Sequence, residues 1–495
     1  MSPLETLVEQ AKAAPAARAR VESVEVEAVN AKAKRQLYAK REKIYPKLVH
    51  GRFRRIKWLA LIVTLAIYYL TPWIRWDRGA GQPDQAVLLD LPNRRFYFFF
   101  IEIWPQEIYY LTGLLILAAI GLFLVTSIAG RVWCGYTCPQ TVWTDLFIAV
   151  ERLVEGDRAE RIRLDKKPWR AGKLARKTTK HALWLLIGAA TGGAWVFYFA
   201  DAPTLAADLL AFQAPTVAYV FIGLLTFTTY WLGGHMREQV CTYMCPWPRI
   251  QGAMLDEESM VVTYRDFRGE PRGPLRKGEI AAGYGDCIDC KQCVVACPMG
   301  IDIRDGQQLE CITCALCIDA CDDVMAKIGK PKGLIAYDTI GNLERRAHGQ
   351  PARLRLLRPR TLLYAAVLLL VAGIMAFSFG TRSELEINLI NDRNPLFVTL
   401  SDGSTRNGYT LKILNMSNEP RHFSLSVEGL PQATLTLGGK AEASDIAVPP
   451  DQVLTLRLFV AVPPGALKAP ATEIVFVLER DGQSWRHASV FRGPE

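Results

Sequence analysis

Twelve cysteines fall into four groups, and none is left over. Cys287, Cys290, Cys293 and Cys297 form C-x2-C-x2-C-x3-C, with Pro298 next. Cys311, Cys314, Cys317 and Cys321 repeat that spacing, with Asp322 where the first run has proline. Three thiolates at i, i+3 and i+6 wrap a loop around a cubane, and each [4Fe–4S] cluster takes four. In two-cluster ferredoxins the fourth cysteine of each run serves the other cluster. The spacing therefore predicts one cluster on Cys287, Cys290, Cys293 and Cys321. It predicts a second on Cys311, Cys314, Cys317 and Cys297. Zinc also takes four thiolates, but usually as separated pairs, and fits these runs poorly.

Two shorter motifs, Cys134-Gly-Tyr-Thr-Cys138-Pro and Cys241-Thr-Tyr-Met-Cys245-Pro, are C-x3-C-P. Cysteines at i and i+4 would share one helix face. Two such faces could meet as a four-thiolate copper or redox site on Cys134, Cys138, Cys241 and Cys245. Met236, Met244 and His235 lie near the second pair and are weaker candidate ligands. Thiolate and thioether are soft donors that favour Cu(I). Buried cysteines acting as small apolar groups are the plain alternative, and a disulfide or thiol relay is a third. His181 reads as an interfacial residue, with haem or quinone binding as its alternative.

These thiols need elements to place them. The chain has 495 residues, half of them hydrophobic, and a formal charge of +10. That composition excludes a disordered or collagen-like chain. The apolar residues come in blocks, and a hydrocarbon core takes about 20. Five stretches come close: 58–74, 108–129, 182–200, 216–234 and 362–379. Thr226, Thr228, Thr229 and Tyr230 dilute the fourth. The aromatic segment Phe96–Trp104 reads as interfacial. No secretory leader is expected, since the first 50 residues lack an apolar core.

Lys and Arg then set the orientation. Residues 1–57 carry 14 of them, 130–180 carry 12 and 235–360 carry 18. Loop 77–107 carries 3 and loop 201–214 none. Five spans with the N-terminus inside put every cysteine group in the cytoplasm, where thiols stay reduced. The tail 381–495 then lies outside. Its apolar alternation at Tyr409, Leu411 and Ile413, and at Leu454, Leu456 and Leu458, predicts strands. Seven or eight strands there suggest an immunoglobulin-like sandwich, and it contains no cysteine.

The fold class expected is thus a multi-domain membrane protein. It has a basic segment 1–57, a transmembrane region 58–256, a bacterial-type 2[4Fe–4S] ferredoxin domain 257–345 and a basic linker 346–360. A fifth span, 362–379, leads to the sandwich 381–495. The basic runs 37–57, 158–180 and 345–360 are expected against anionic lipid. No nucleic-acid-binding motif is present. Gly188, Gly192 and Gly193 lie in a span and do not form a dinucleotide loop, so the electron donor is not encoded.

The chain resembles the membrane-bound polyferredoxins of the CcoG/FixG/RdxA type, accessory proteins of cbb3-type cytochrome c oxidase. The resemblance runs from Lys43-Ile-Tyr-Pro46 and Gly51-Arg-Phe-Arg-Arg55 through Gly130-Arg-Val-Trp-Cys-Gly-Tyr-Thr-Cys-Pro-Gln140. It continues through Gly285-Asp-Cys-Ile-Asp-Cys290 to the C-terminal sandwich. It implies a multi-pass protein of the bacterial inner membrane that reduces Cu(II) to Cu(I) in the cytoplasm for the oxidase's copper centre. It also implies copper binding through cysteine motifs, here Cys134, Cys138, Cys241 and Cys245. Oxidase subunits, copper transporters or chaperones are the implied partners. Two other readings remain: a quinol-linked electron-transfer subunit, and a non-catalytic assembly scaffold, against which eight cluster ligands argue.

Overall fold

The computed structural model describes residues 21, 23–30, 42–79, 82–276, 279–280, 283–382, 385–417, 419–438, 443–450, 452–467, 469–480 and 482–494. Expectations placed on residues 1–20, 31–41 and 383–384 lie outside the described residues. The chain divides into two units, 1–375 and 376–495.

Among the described residues, four helices are long and apolar enough to cross a membrane: Arg52–Trp73, Pro105–Ala129, Thr216–Met236 and Pro359–Gly380. The expected span 182–200 is not among them. It belongs to the helix Ala171–Val196, whose first three turns carry Lys173, Arg176, Lys177, Lys180 and His181. The helix stops at Val196, so its apolar part is shorter than the ~20 residues a crossing takes. It nonetheless packs closely along Thr216–Thr229. A Cβ on Gly188 would stand 3.0 Å from the Thr226 carbonyl oxygen, and one on Gly192 2.7 Å from that of Ile222. Small residues four apart let two membrane helices approach backbone to backbone.

At the end of this bundle away from the cysteines, the segment expected to be interfacial is a three-stranded sheet. Its strands are Val87–Asp90, Arg95–Phe98 and Ile101–Ile103. Leu89 N donates to Tyr198 O at 2.7 Å, and Arg75 pairs with Asp201 at 2.5 Å. The sheet thereby ties the two polar turns together.

At the other end the basic runs meet acids inside the protein. Arg54 and Lys57 reach Asp145 at 2.9 and 3.8 Å. Lys43 and Lys177 flank Asp165 at 2.8 and 2.6 Å. Glu151, fully buried, holds Arg161, Arg237 at 2.7 Å and Lys180 at 3.7 Å. Arg358 pairs with Asp256. These basic residues face carboxylates, while Arg163, Lys166, Lys167, Arg170 and Arg176 between them stay exposed. The physical reason is that a buried cation without a counter-charge costs several kcal/mol.

The second unit is a sandwich of two antiparallel sheets. One orders Thr434–Gly438, Gln452–Val462, Thr405–Asn415 and Leu385–Asn391, with Val398–Thr399 beside the third. The other orders Ile446–Val448, Arg421–Glu428, Ala471–Arg480 and Gln483–Arg492. Tyr409 pairs with Leu458 and Leu411 with Leu456. All four point into a core with Phe423, Phe476 and Phe491. The strands Val398–Thr399, Thr434–Gly438 and Ile446–Val448 carry too few residues to show alternation in sequence.

Burial alone would raise the Glu151 pKa, but Arg237, Arg161 and Lys180 pull it down to about 2. A depressed carboxylate pKa gives stability that is present above the unfolded value near 4.5 and lost as pH falls toward 2. Glu151→Gln should therefore lower the thermal midpoint in detergent at pH 7, since breaking a buried pair costs ~3–5 kcal/mol. The variant should also lose less stability than the wild type between about pH 5 and 3, the window in which the unfolded carboxylate takes up its proton. Equal midpoints at pH 7 would show that the network contributes nothing.

Candidate metal centres

The two long cysteine runs bend the same way. Asp289 and Lys291 flank Cys290 with φ of 50° and 56°, and Thr313 and Ala315 flank Cys314 with φ of 57° and 60°. Left-handed backbone at four non-glycine positions costs ~1–3 kcal/mol each and persists only where the surroundings demand it. Here it curls each loop so that N–H groups face sulfur: Gln292 N–H donates to Cys290, and Thr313 N–H to Cys311. A short helix follows each loop, Gln292–Ala296 and Leu316–Lys327.

The fourth cysteine of each run turns toward the opposite loop. Cys321 has Cys290 and Cys287 as electrostatic neighbours. Cys297 has Cys314 and Cys311. A hollow is lined by Cys293, Cys297, Cys311, Cys314 and Cys317, with only apolar residues besides. Arg304 stands by the first run, 3.9 Å from the Cys287 sulfur, and is held there by Asp302 and Asp289 at 2.7 and 2.6 Å. Eight thiols on two crossed runs, five of them lining an apolar hollow, fit iron–sulfur clusters.

The C-x3-C-P pairs also come together. Cys134 has Cys138 and Cys245 as electrostatic neighbours, and Cys241 has Cys138, Cys134 and Cys245. The four thiols thus form one group at the ends of Pro105–Ala129 and Thr216–Met236. Neither pair shares one helix face, contrary to the expectation from i, i+4 spacing. The helix Val132–Tyr136 ends before Cys138, whose ψ is 129°. Cys241 lies on a π-helical turn, Val240–Met244, and Cys245 has ψ 126°. A following proline drives its predecessor out of the helical region, and both second cysteines precede proline.

All twelve cysteines are free thiols. Burial pushes Cys134 and Cys241 up to about 12. Such thiols are neutral and inert until a metal displaces the proton. Among the described residues, no three His, Cys, Asp or Glu side chains stand close enough to share a single ion.

The weaker candidates separate. Met244 is exposed and faces away from the core. His235 sits in an aromatic cluster with His181, Trp184, Tyr230 and Trp231. Tyr230 Oη and His181 Nδ1 are 3.0 Å apart, so His181 is a packed and hydrogen-bonded residue.

Three residues at the site were not expected. Arg131, 4% exposed, donates to Cys311 O at 3.3 Å, to Pro248 O at 2.6 Å and to Leu309 O. Gln251 Oε1 accepts from the Cys134 thiol at 3.0 Å. A Cβ on Gly135 would lie 2.7 Å from Ile312 O and 3.1 Å from Cys314 N, so only glycine fits there. Gly135 and Arg131 stand within the motif's own run, so their position was the available signal. Gln251 carried none.

The family description "4Fe-4S dicluster domain" matches residues 236–340, and "4Fe-4S binding domain" matches 111–155. "IG-like fold at C-terminal of FixG" matches 375–494. The Nitrogen fixation protein FixG of Rhizobium meliloti is 55% identical over 95% of this chain and 96% of its own. Protein RdxB of Cereibacter sphaeroides is 54% identical over 92% and 97%. Protein RdxA of the same organism is 53% identical over 88% and 92%. A solved FixG-related protein from Vibrio parahaemolyticus covers 22% of this chain and 97% of its own, at 26% identity and a TM-score of 0.20. With iron–sulfur domains, membrane-length helices and relatives at this identity over most of its length, the chain belongs to the FixG/RdxA-type family of membrane iron–sulfur electron-transfer proteins.

Proposed function

We propose that the protein is a cupric reductase, delivering one electron to Cu(II) and releasing Cu(I) toward assembly of a cbb3-type oxidase copper centre. The observation that carries this reading is the direct contact of the Cys134–Cys138 loop with the second cysteine run, through Gly135. No side chain intervenes between the two, so the soft-donor end of the protein adjoins the ferredoxin fold.

The crossed neighbours support one cluster on Cys287, Cys290, Cys293 and Cys321 and one on Cys311, Cys314, Cys317 and Cys297. When bound, such clusters supply single electrons. The chain's own residues set the surroundings. Arg304 and Arg131 hold positive charge beside the two loops, which favours thiolate and the reduced state. Apolar residues at the hollow keep water out. The group of Cys134, Cys138, Cys241 and Cys245 is the redox end facing copper, a set of soft donors. Copper is the substrate: Cu(II) gains one electron, and Cu(I) leaves to a thiolate or thioether chaperone.

Five crossings would give this site its compartment, the helix Ala171–Val196 counting as one together with the turn 197–200 that follows it. The helix Ala171–Val196 runs beside Thr216–Thr229, and the turns it joins lie with the small sheet. Counting it as a span puts the N-terminus and all cysteines in the cytoplasm, and the sandwich in the periplasm.

Protein reduced chemically and freed of reductant should convert added Cu(II) to Cu(I), read by a Cu(I)-specific chelator. Reoxidised protein should not. Absence of Cu(I) from the reduced sample would defeat the copper reading and leave the electron-transfer assignment standing.

Cys297→Ser should give an EPR spectrum like that of Cys314→Ser, because both would serve one cluster. A spectrum matching Cys290→Ser would break the crossed pattern. A reporter active only outside the cytoplasm should be active after Glu495 and silent within 158–167. Activity at the second position would reverse the topology.

A further inference from the structure

We propose that Cys134, Cys138, Cys241 and Cys245 together hold a third [4Fe–4S] cluster, seated between the membrane helices and the second cysteine run. This rests on the iron–sulfur reading above and concerns what the four thiols bind, not whether copper is the acceptor.

The first observation is a shortfall. The segment 111–155 matches a 4Fe-4S binding domain, yet it contains only Cys134 and Cys138. A cubane takes four protein thiolates. The fold supplies two more from a segment about a hundred residues on, Cys241 and Cys245, in a motif of the same spacing. Cys134 and Cys241 pack in one apolar cluster that also meets Cys297, Cys311 and Cys314. Cys134 and Cys241 are therefore neighbours of each other and of the second run, and Cys138 and Cys245 close the same two motifs.

The second observation is the likeness to the long runs. Among the described residues no group of three or more His, Cys, Asp and Glu is placed to hold a single ion, and this holds for these four thiols as for the eight of the ferredoxin fold.

The third observation is what stands beside the sulfurs. Cys138 is the N-cap residue of the helix Pro139–Glu155, and like Cys297 it precedes proline. Arg131 adds a buried cation between the two groups, donating to Cys311 O on one side and Pro248 O on the other. Gln251 orients the Cys134 thiol. A cluster bearing net negative charge needs such a cation when it is buried.

The test counts metal. After anaerobic reconstitution with ferrous iron and sulfide, the full chain in detergent should hold about twelve iron and twelve sulfide, four of each per cubane. Native mass spectrometry of the wild type should show three cluster masses, which needs no variant to fold. Cys→Ser at 134, 138, 241 and 245 should leave about eight iron and keep the EPR signals of the other two clusters. About eight iron in the wild type, unchanged in the variant, would overturn the third cluster and leave the two-cluster reading intact. Eight iron together with copper that the variant loses would assign the four thiols to copper instead. Iron near zero in the wild type would overturn both readings.

Discussion

The Arg131 guanidinium is the point on which the rest of the arrangement depends. It stands just past the end of the helix Pro105–Ala129 and is almost fully buried. Its nitrogens reach Pro248, after the second C-x3-C-P motif, and Cys311, which opens the second long run. One side chain thus joins a membrane helix, a thiol pair distant in sequence and the ferredoxin fold. A buried guanidinium must fill its donors, because each one left unpaired costs ~1–3 kcal/mol. Carbonyl oxygens from two segments, Leu309 and Cys311 on one and Pro248 on the other, take up its terminal nitrogens and so set the segments' spacing. Gly135 completes the joint, since any larger residue would push the loops apart.

A second constraint acts where the chain is most basic. Asp319 stands on the ferredoxin helix Leu316–Lys327, yet its carboxylate accepts from Phe53 N and Arg54 N at 3.2 and 2.7 Å. It caps the first membrane helix, whose opening N–H groups have no partner of their own. Gly51 makes room for it. The carboxylate also sits at the positive end of that helix dipole, where a negative charge is stabilised. The iron–sulfur domain is therefore bound to the bundle at two places, by Asp319 and by Arg131, and both are charge-assisted.

Much of this was legible in the sequence. The eight ferredoxin cysteines declared their chemistry by spacing, and Tyr409, Leu411 and Ile413 declared strands by alternation. What was not legible depends on partners far away in the chain. Within the runs 158–180 and 345–360, the spacing does not show that Arg161 and Lys180 pair with Glu151, Lys177 with Asp165 and Arg358 with Asp256. Phe96–Trp104 looks interfacial because its residues are aromatic. It is a sheet because Val87–Asp90 pairs with it in register, Leu88 opposite Tyr97. Gly188 and Gly192 carried a packing signal in their four-residue spacing, which only the neighbouring Ile222 and Thr226 give meaning.

Local chemistry could have corrected one expectation without a structure. Cys138, Cys245 and Cys297 each precede proline, and all three have extended ψ values, 129°, 126° and 119°. Proline disfavours the helical alternative for the residue before it, so a C-x3-C-P pair does not lie along one continuous helix. The chain must turn at the second cysteine and begin again. That turn presents the thiol to the N-terminus of the next helix, Pro139–Glu155 after Cys138 and Trp247–Met254 after Cys245. The two pairs differ in how they arrive there. Cys134 comes on an α-helical turn, whereas Cys241 comes on a π-helical one, set off by Arg237 at a φ of 44°. Arg237 holds that strained backbone because its guanidinium is fixed to Glu151 and to Gly234 O. The π-helical turn carries Cys241 into the cluster that holds Cys134. The buried charge network and the position of Cys241 are in this way one structural problem with one solution.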